Sequence, residues 1–107
     1  MNKEKFFATA PKARVEAVPG VEGVFVREIS AGDRDRLERV MSGKNPQDVR
    51  AHLLIAYVCD GEGKPLFDGG DVPRLSALPV AYVDGILAQG NALNALTDKD
   101  LDDLEKK

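Results

Sequence analysis

Two apolar runs, Arg14–Val18 and Val24–Ile29, flank the segment Pro19-Gly20-Val21-Glu22-Gly23. They are rich in Val, Ile and Phe, whose branched or aromatic side chains suit a pleated surface, and Pro-Gly is turn chemistry. In the second run Val24, Val26 and Glu28 share one face and Phe25, Arg27 and Ile29 the other, which is the period of a strand. The pattern predicts a β-hairpin. From Ser30 the period lengthens. The Ser30 hydroxyl can cap an early backbone N–H, and Asp33 puts negative charge near the positive end of a helix dipole. Leu37, Val40 and Met41 then form one stripe on an otherwise charged helix that ends at Ser42-Gly43-Lys44. The charges from Asp33 to Arg39 read as a solvated face with internal ion pairs rather than a recognition patch.

A second helix is expected from Pro46 to Val58. Asn45 is a favoured cap, Pro46 fits the first helical position, and Asp48 lies near the positive end of the dipole. From Leu53 onward this helix is apolar on nearly every side, which suits burial against several neighbours. By period alone Leu53–Cys59 fits a strand as well; the capped start and the length favour helix. Asp60–Pro65 and Asp68–Asp71 are turn-rich, and Asp71 is placed to cap a short helix from Val72 to Ala77, with Pro73 tolerated in its first turn. After Leu78-Pro79 a long helix is expected over Val80–Leu96, with Val80, Val83, Ile86 and Leu87 on its apolar stripe. Gly85 and Gly90 each weaken such a helix by about 1 kcal/mol relative to Ala, and close packing against a neighbour is a reason to keep them. Asp98–Lys106 reads as a last helix, acidic at its start and basic at its end. Residues 1–12 show no clear period and read as a flexible N-terminal arm, leaving residues 13–107 as one domain. The expected class is α+β: a mainly helical small domain of four to five helices with a short N-terminal β-hairpin.

Composition narrows the function classes. Of 107 residues 43% are hydrophobic and 31% charged, an ordinary globular balance, but aromatics are scarce. The core must rest on Leu, Val, Ile and Ala, and a domain of this size has modest reserve that partner binding or oligomerisation would supplement. A net charge of −3 with scattered Lys and Arg offers no basic face for nucleic acid. The longest apolar run, Leu53–Cys59, is far too short to span a bilayer, and Lys3–Phe7 leads into polar and Pro residues rather than a signal-peptide core. A single cysteine, Cys59, makes no internal disulfide. These features place the expected location in the cytoplasm.

Candidate chemistry is thin. His52, the one histidine, lies on the apolar second helix without a carboxylate partner at helical spacing. Seven residues separate it from Cys59, so a continuous helix would hold the two about 10 Å apart, too far for a nucleophile and its base. Asp60-Gly61-Glu62-Gly63 and Asp68-Gly69-Gly70-Asp71 resemble calcium-loop fragments, but Lys64 and Pro65 sit where ligands are needed and no closing Glu follows. Turn formation accounts for them. The glycines match neither GxGxxG nor a P-loop. No enzyme, cofactor or metal centre is expected.

The order of segments carries a resemblance. Val24-Phe25-Val26-Arg27-Glu28-Ile29-Ser30-Ala31-Gly32-Asp33-Arg34-Asp35 is similar to the strand-to-helix junction of phage tail assembly chaperones of long-tailed, lambda-like phages and prophages. Val58-Cys59-Asp60-Gly61-Glu62-Gly63-Lys64-Pro65-Leu66-Phe67 resembles that family's central segment. Asp71-Val72, Leu75-Ser76-Ala77-Leu78, Asn91-Ala92-Leu93-Asn94 and Leu96-Thr97-Asp98-Lys99-Asp100-Leu101 follow in the family's order. The resemblance spans Val15 to Glu105. It implies a protein that binds the tape-measure protein during tail assembly in the bacterial host's cytoplasm, in many self-associating copies, and is absent from the finished virion. It further implies a longer, frameshifted product whose extension recruits the tail-tube protein; the terminal Lys106-Lys107 pair is compatible with a slippery run of A. Leu101 and Leu104, three apart on the acidic last helix, are the candidate partner-binding residues, with core packing of that helix as the alternative. A structural tail or head-tail joining component retained in the particle is the competing reading.

Overall fold

The computed structural model describes residues 2–43 and 48–94. The hairpin forms where the apolar runs place it. Strand β1 (Val15–Ala17) pairs antiparallel with β2 (Phe25–Arg27), Glu16 opposite Val26. The Pro-Gly loop closes with the Val18 N–H donating to the Val24 carbonyl at 2.9 Å. Val26 turns inward and is fully buried, while Glu28 at the rim accepts from the Arg14 backbone N–H at 2.7 Å. Helix α2 (Ala31–Met41) starts as expected, with the Asp33 N–H donating to the Ser30 hydroxyl oxygen at 3.1 Å. On its stripe Leu37 is buried, Val40 half-buried and Met41 exposed.

The sheet is larger than an N-terminal hairpin. Helix α3 (Val49–Tyr57) stops earlier than the pattern predicts; Val58 turns extended, and Val58–Cys59 become a third strand, β3. β3 pairs antiparallel with β2, Phe25 opposite Cys59 and Val26 opposite Val58, giving the order β1-β2-β3. On its other side Cys59 bridges to Pro65, and the Leu66 N–H donates to the Val58 carbonyl. A strand covered on both sides and both faces reads as a continuous apolar run, so periodicity could not separate it from the helix before it. Asn45 and Pro46, the expected start of this helix, lie outside the described residues. Within them the helix begins after Asp48, which adopts a left-handed conformation (φ 55°).

The capping near Asp71 also differs. A 3-10 turn at Gly69–Asp71 precedes α4 (Val72–Ser76), and Asp68 is the cap: its carboxylate accepts from the Gly70 N–H at 2.8 Å while Asp71 accepts from the Asp68 N–H at 2.9 Å. Asp71 thus completes a reciprocal capping box one turn upstream. Helix α5 spans Val80–Leu93 with Asn94 as its cap. Val83, Ile86 and Leu87 are buried, but Val80, in the first turn, is 57% exposed and leaves the stripe. The expected helix Asp98–Lys106 lies outside the described residues. At the other end α1 (Lys3–Thr9) forms where no period was visible. Asn2 caps it, with the Lys5 N–H donating to the Asn2 side chain, and no residue of α1 is buried.

Helix α3 is the centre of the packing. It lies against α2, α4 and α5, and α5 in turn covers β2. Ala51, Leu54, Tyr57 and Val58 join Val18, Val26, Leu75, Val83, Ile86, Leu87 and Leu93 in one core. Among the described residues no helix is long and apolar enough to cross a membrane.

The two α5 glycines part company here. A Cβ at Gly90 would stand 2.5 Å from Tyr57 Cδ2 and 3.0 Å from Cγ, both in a ring with no exposed surface, whereas a Cβ at Gly85 would meet nothing within 4 Å. Gly85→Ala is therefore expected to stabilise the protein by about 0.5–1 kcal/mol through helix propensity. Gly90→Ala is expected to destabilise it by about 1–3 kcal/mol despite the same gain. Urea unfolding of both variants checks this; equal shifts would show that Gly90 carries no packing constraint.

Candidate functional site

The residues with the best claim to catalysis are separated by the fold. Cys59 lies in β3 with no exposed surface, and burial pushes its thiol above the usual range, against the smaller effect of the Arg27 charge. A buried, protonated thiol is a poor nucleophile. His52 is not enclosed, as the apolar pattern of its helix suggests, but half-buried and facing a surface groove. Asp60 is occupied by its own turn. Its carboxylate accepts from the Glu62 N–H at 2.8 Å and the Lys64 N–H at 3.0 Å, and these backbone hydrogen bonds, Lys64 first, hold its carboxyl below the usual range. Gly63 closes the turn with φ 85°, which glycine adopts freely. Asp68 and Asp71 are bound to the backbone of their own capping turn, at the Gly70 and Asp68 N–H groups respectively. Among the described residues no three His, Cys, Asp or Glu side chains are grouped to hold a metal ion. Leu101 and Leu104 lie outside the described residues.

The structure does form a groove that no motif announced. Helices α2 and α3 and the segment from Pro65 to Gly69 enclose a cavity of about 460 Å³. Leu37 and Val40 line it from α2, His52, Ile55 and Ala56 from α3, and Pro65 and Phe67 from the turn. Charge gathers at one end. Arg27 reaches from β2 to Asp33 at 3.4 Å, Arg36 pairs with the other Asp33 oxygen, and Arg27 Nε donates to the Ala56 carbonyl at 3.0 Å near the end of α3. Burial raises the Asp33 carboxyl, but hydrogen bonds from Arg36 and Ser30 and the charge of Arg27 outweigh it and hold the group below its ordinary range. The site is an apolar trough with one satisfied charge cluster. Such a surface can seat an apolar or aromatic side chain, and among the described residues His52 is the one imidazole on its wall.

Two features escape sequence reasoning. Leu37 and Val40 read simply as core stripe, because a pattern cannot distinguish packing against the chain from packing against a visitor. Phe67 sits among turn residues with no period at all. Seven large hydrophobic side chains are exposed among the described residues, with Phe7 (68%) and Phe6 (62%) foremost.

Because Asp33 is depressed in the fold, its contribution is present above the unfolded aspartate value of about 3.9 and lost as pH falls through the lower folded value. Asp33→Asn should cost at most about 1 kcal/mol at neutral pH, since Arg36 is largely exposed. The difference from wild type should vanish in acid. Denaturant unfolding at both pH values tests this; a gap that persists in acid would remove the ionic explanation.

No family model and no curated protein matches this sequence. Among solved structures, that of the bacteriophage HK97 tail assembly chaperone is similar at 24% identity, covering 84% of this chain and 91% of the other, with a TM-score of 0.57. An expectation first raised by the order of strand, turn and helix segments thus meets a likeness in three dimensions, and the chain has the fold of that phage tail assembly chaperone.

Proposed function

We propose that this protein is a tail assembly chaperone that binds the tape-measure protein during tail morphogenesis, acts in the bacterial cytoplasm, and is absent from the mature virion. The observation that carries this reading is the fold shared with the HK97 chaperone over most of both chains. Surface character supports it. Apolar side chains are displayed on an acidic body with net charge −3, which suits a soluble protein holding apolar segments of another. Cys59 is buried and Asp60, Asp68 and Asp71 are bound to their own turns, which is in keeping with binding rather than catalysis.

A tape-measure segment would be recognised as an amphipathic helix presenting spaced apolar anchors. Leu101 and Leu104 remain the proposed anchors on this chain. A longer, frameshifted form recruiting the tail-tube protein belongs to the same reading; a slippery heptamer near the stop codon with an overlapping downstream frame would support it.

Co-expression with the tape-measure protein of the same phage should keep that protein soluble and yield a complex on size exclusion. Mass spectrometry of purified virions should then lack this chain. Its presence in virions would favour the alternative, a structural tail or head-tail component. Replacing Leu101 and Leu104 with Asp should weaken the complex more than about tenfold with a native far-UV CD spectrum. Unchanged binding would remove these two residues from the interface without touching the chaperone reading.

A further inference from the structure

Helix α1 is too short to stand alone. It has seven residues, none of them buried, and a helix of that length is marginal in water without a surface to pack on. Its own surface is aromatic and basic. Phe6 and Phe7 form an edge-to-face pair, ring centroids 5.5 Å apart, and both are mostly exposed. Lys3 lies one turn before the two rings. Among the described residues Lys3, Lys5 and Lys12 make no ion pair.

The other end of the chain leaves the body beside the root of this arm. Arg14, where the arm joins β1, donates to the Leu93 carbonyl at 3.1 Å. Arg34 reaches the Asn94 carbonyl at 3.5 Å and keeps a buried Nε with no hydrogen-bond partner among the described residues. Residues 95–107 continue from that point. Within them residues 98–105 hold five carboxylates against one cation, whereas residues 1–14 hold four cations against one carboxylate. Leu101 and Leu104 stand among those carboxylates as Phe6 and Phe7 stand among lysines. Reach agrees as well. An extended connection from Arg14 to Ala10 and one turn of α1 carry the chain at most about 20 Å from Arg14 to the rings. Three extended residues after Asn94, then the helical spacing that the sequence pattern predicts, carry it about 16–20 Å to the two leucines.

We propose that α1 is the docking surface for the acidic C-terminal segment of the same copy: residues 95–107 fold back so that Leu101 and Leu104 pack on Phe6 and Phe7, with the carboxylates of residues 98–105 facing Lys3, Lys5 and Lys12. Opposite charge sets the register and speeds the encounter. Exposed ion pairs add little energy one by one, so the apolar contact between leucines and rings supplies most of the hold. Both partners are tethered at the end of α5, one through Arg14 and the other through Asn94, which makes the contact intramolecular and its strength independent of protein concentration. The contact stands without the chaperone reading, because its test uses the protein alone. One consequence rests on that reading: where Leu101 and Leu104 anchor the tape-measure protein, α1 shields the same leucines in the free chain and the partner must displace it.

Amide hydrogen exchange of the full chain should show α1 exchanging more than about tenfold slower than an unstructured peptide, to the same degree at low and high protein concentration. Leu101→Asp/Leu104→Asp should abolish that protection while α3 and α5 exchange as in wild type. Phe6→Ala/Phe7→Ala, which removes no core contact, should in turn speed exchange over residues 98–105. Lys3→Glu/Lys5→Glu should weaken the protection of α1, and adding Asp102→Lys/Asp103→Lys should restore it; this charge swap decides the matter if the leucine variant disturbs the fold. Several results would overturn the proposal: an α1 that exchanges freely in wild type, protection that survives in the leucine variant, or a charge reversal that the swap does not restore. Protection that rises with protein concentration would overturn it too, by giving the segment to another copy.

Discussion

The contact between the Tyr57 ring and the backbone of Gly90 is the constraint on which the other packing depends. Tyr57 is the last residue of α3 and has no exposed surface, yet it carries a hydroxyl that must be satisfied. It is, donating to the Asn91 side chain at 2.9 Å. Burial pushes the phenol up, more than the Arg34 charge lowers it, so the proton stays in place for that bond. A ring this deep needs α5 to approach without a side chain in between, and Gly90 supplies that space. Once Tyr57 is seated, the chain leaves it in one direction only, and Val58–Cys59 enter the sheet beside β2.

Polar contacts then fix the angle between α5 and the sheet. The Asn94 side-chain oxygen accepts from the Ile29 N–H at 2.8 Å, and its amide nitrogen donates to the Arg27 and Gly90 carbonyls at 3.1 and 2.8 Å. One side chain thereby ties the end of α5 to the end of β2. Arg14 adds a donor to the Leu93 carbonyl at 3.1 Å, placing a cation where the helix dipole is negative. With β2 held, Arg27 is aimed at both Asp33 and the end of α3, and the groove between α2 and α3 takes its width from that brace. The chain of dependence runs from a buried tyrosine to a surface trough.

Cys59, Asp60, Asp68 and Asp71 are spent on core, turns and caps, while aromatic and aliphatic side chains remain outside on α1, at Leu66 and Leu78, and along Val80 and Tyr82. A domain with little core to spare exposes this much apolar surface at some cost in solubility, which the surplus of carboxylates offsets.

Wherever a signal is local, the sequence determined the outcome by itself. The hairpin at Pro19-Gly20, the Ser30 cap of α2 and the buried face of α5 at Val83, Ile86 and Leu87 all follow from turn chemistry, one hydroxyl and a helical period. The mainly helical α+β class follows from these together. The third strand did not, because Leu53–Cys59 is apolar throughout and the pairing with β2, distant in sequence, decides where helix ends and strand begins. The meaning of Gly90 against Gly85 was equally hidden: both lower helix propensity alike, and only the position of Tyr57 distinguishes a required glycine from a replaceable one. The candidate site was the least legible part, since a half-buried Val40 or His52 is defined by what remains uncovered after the elements have packed. Local chemistry wrote the elements; tertiary contact chose their ends and left the groove open.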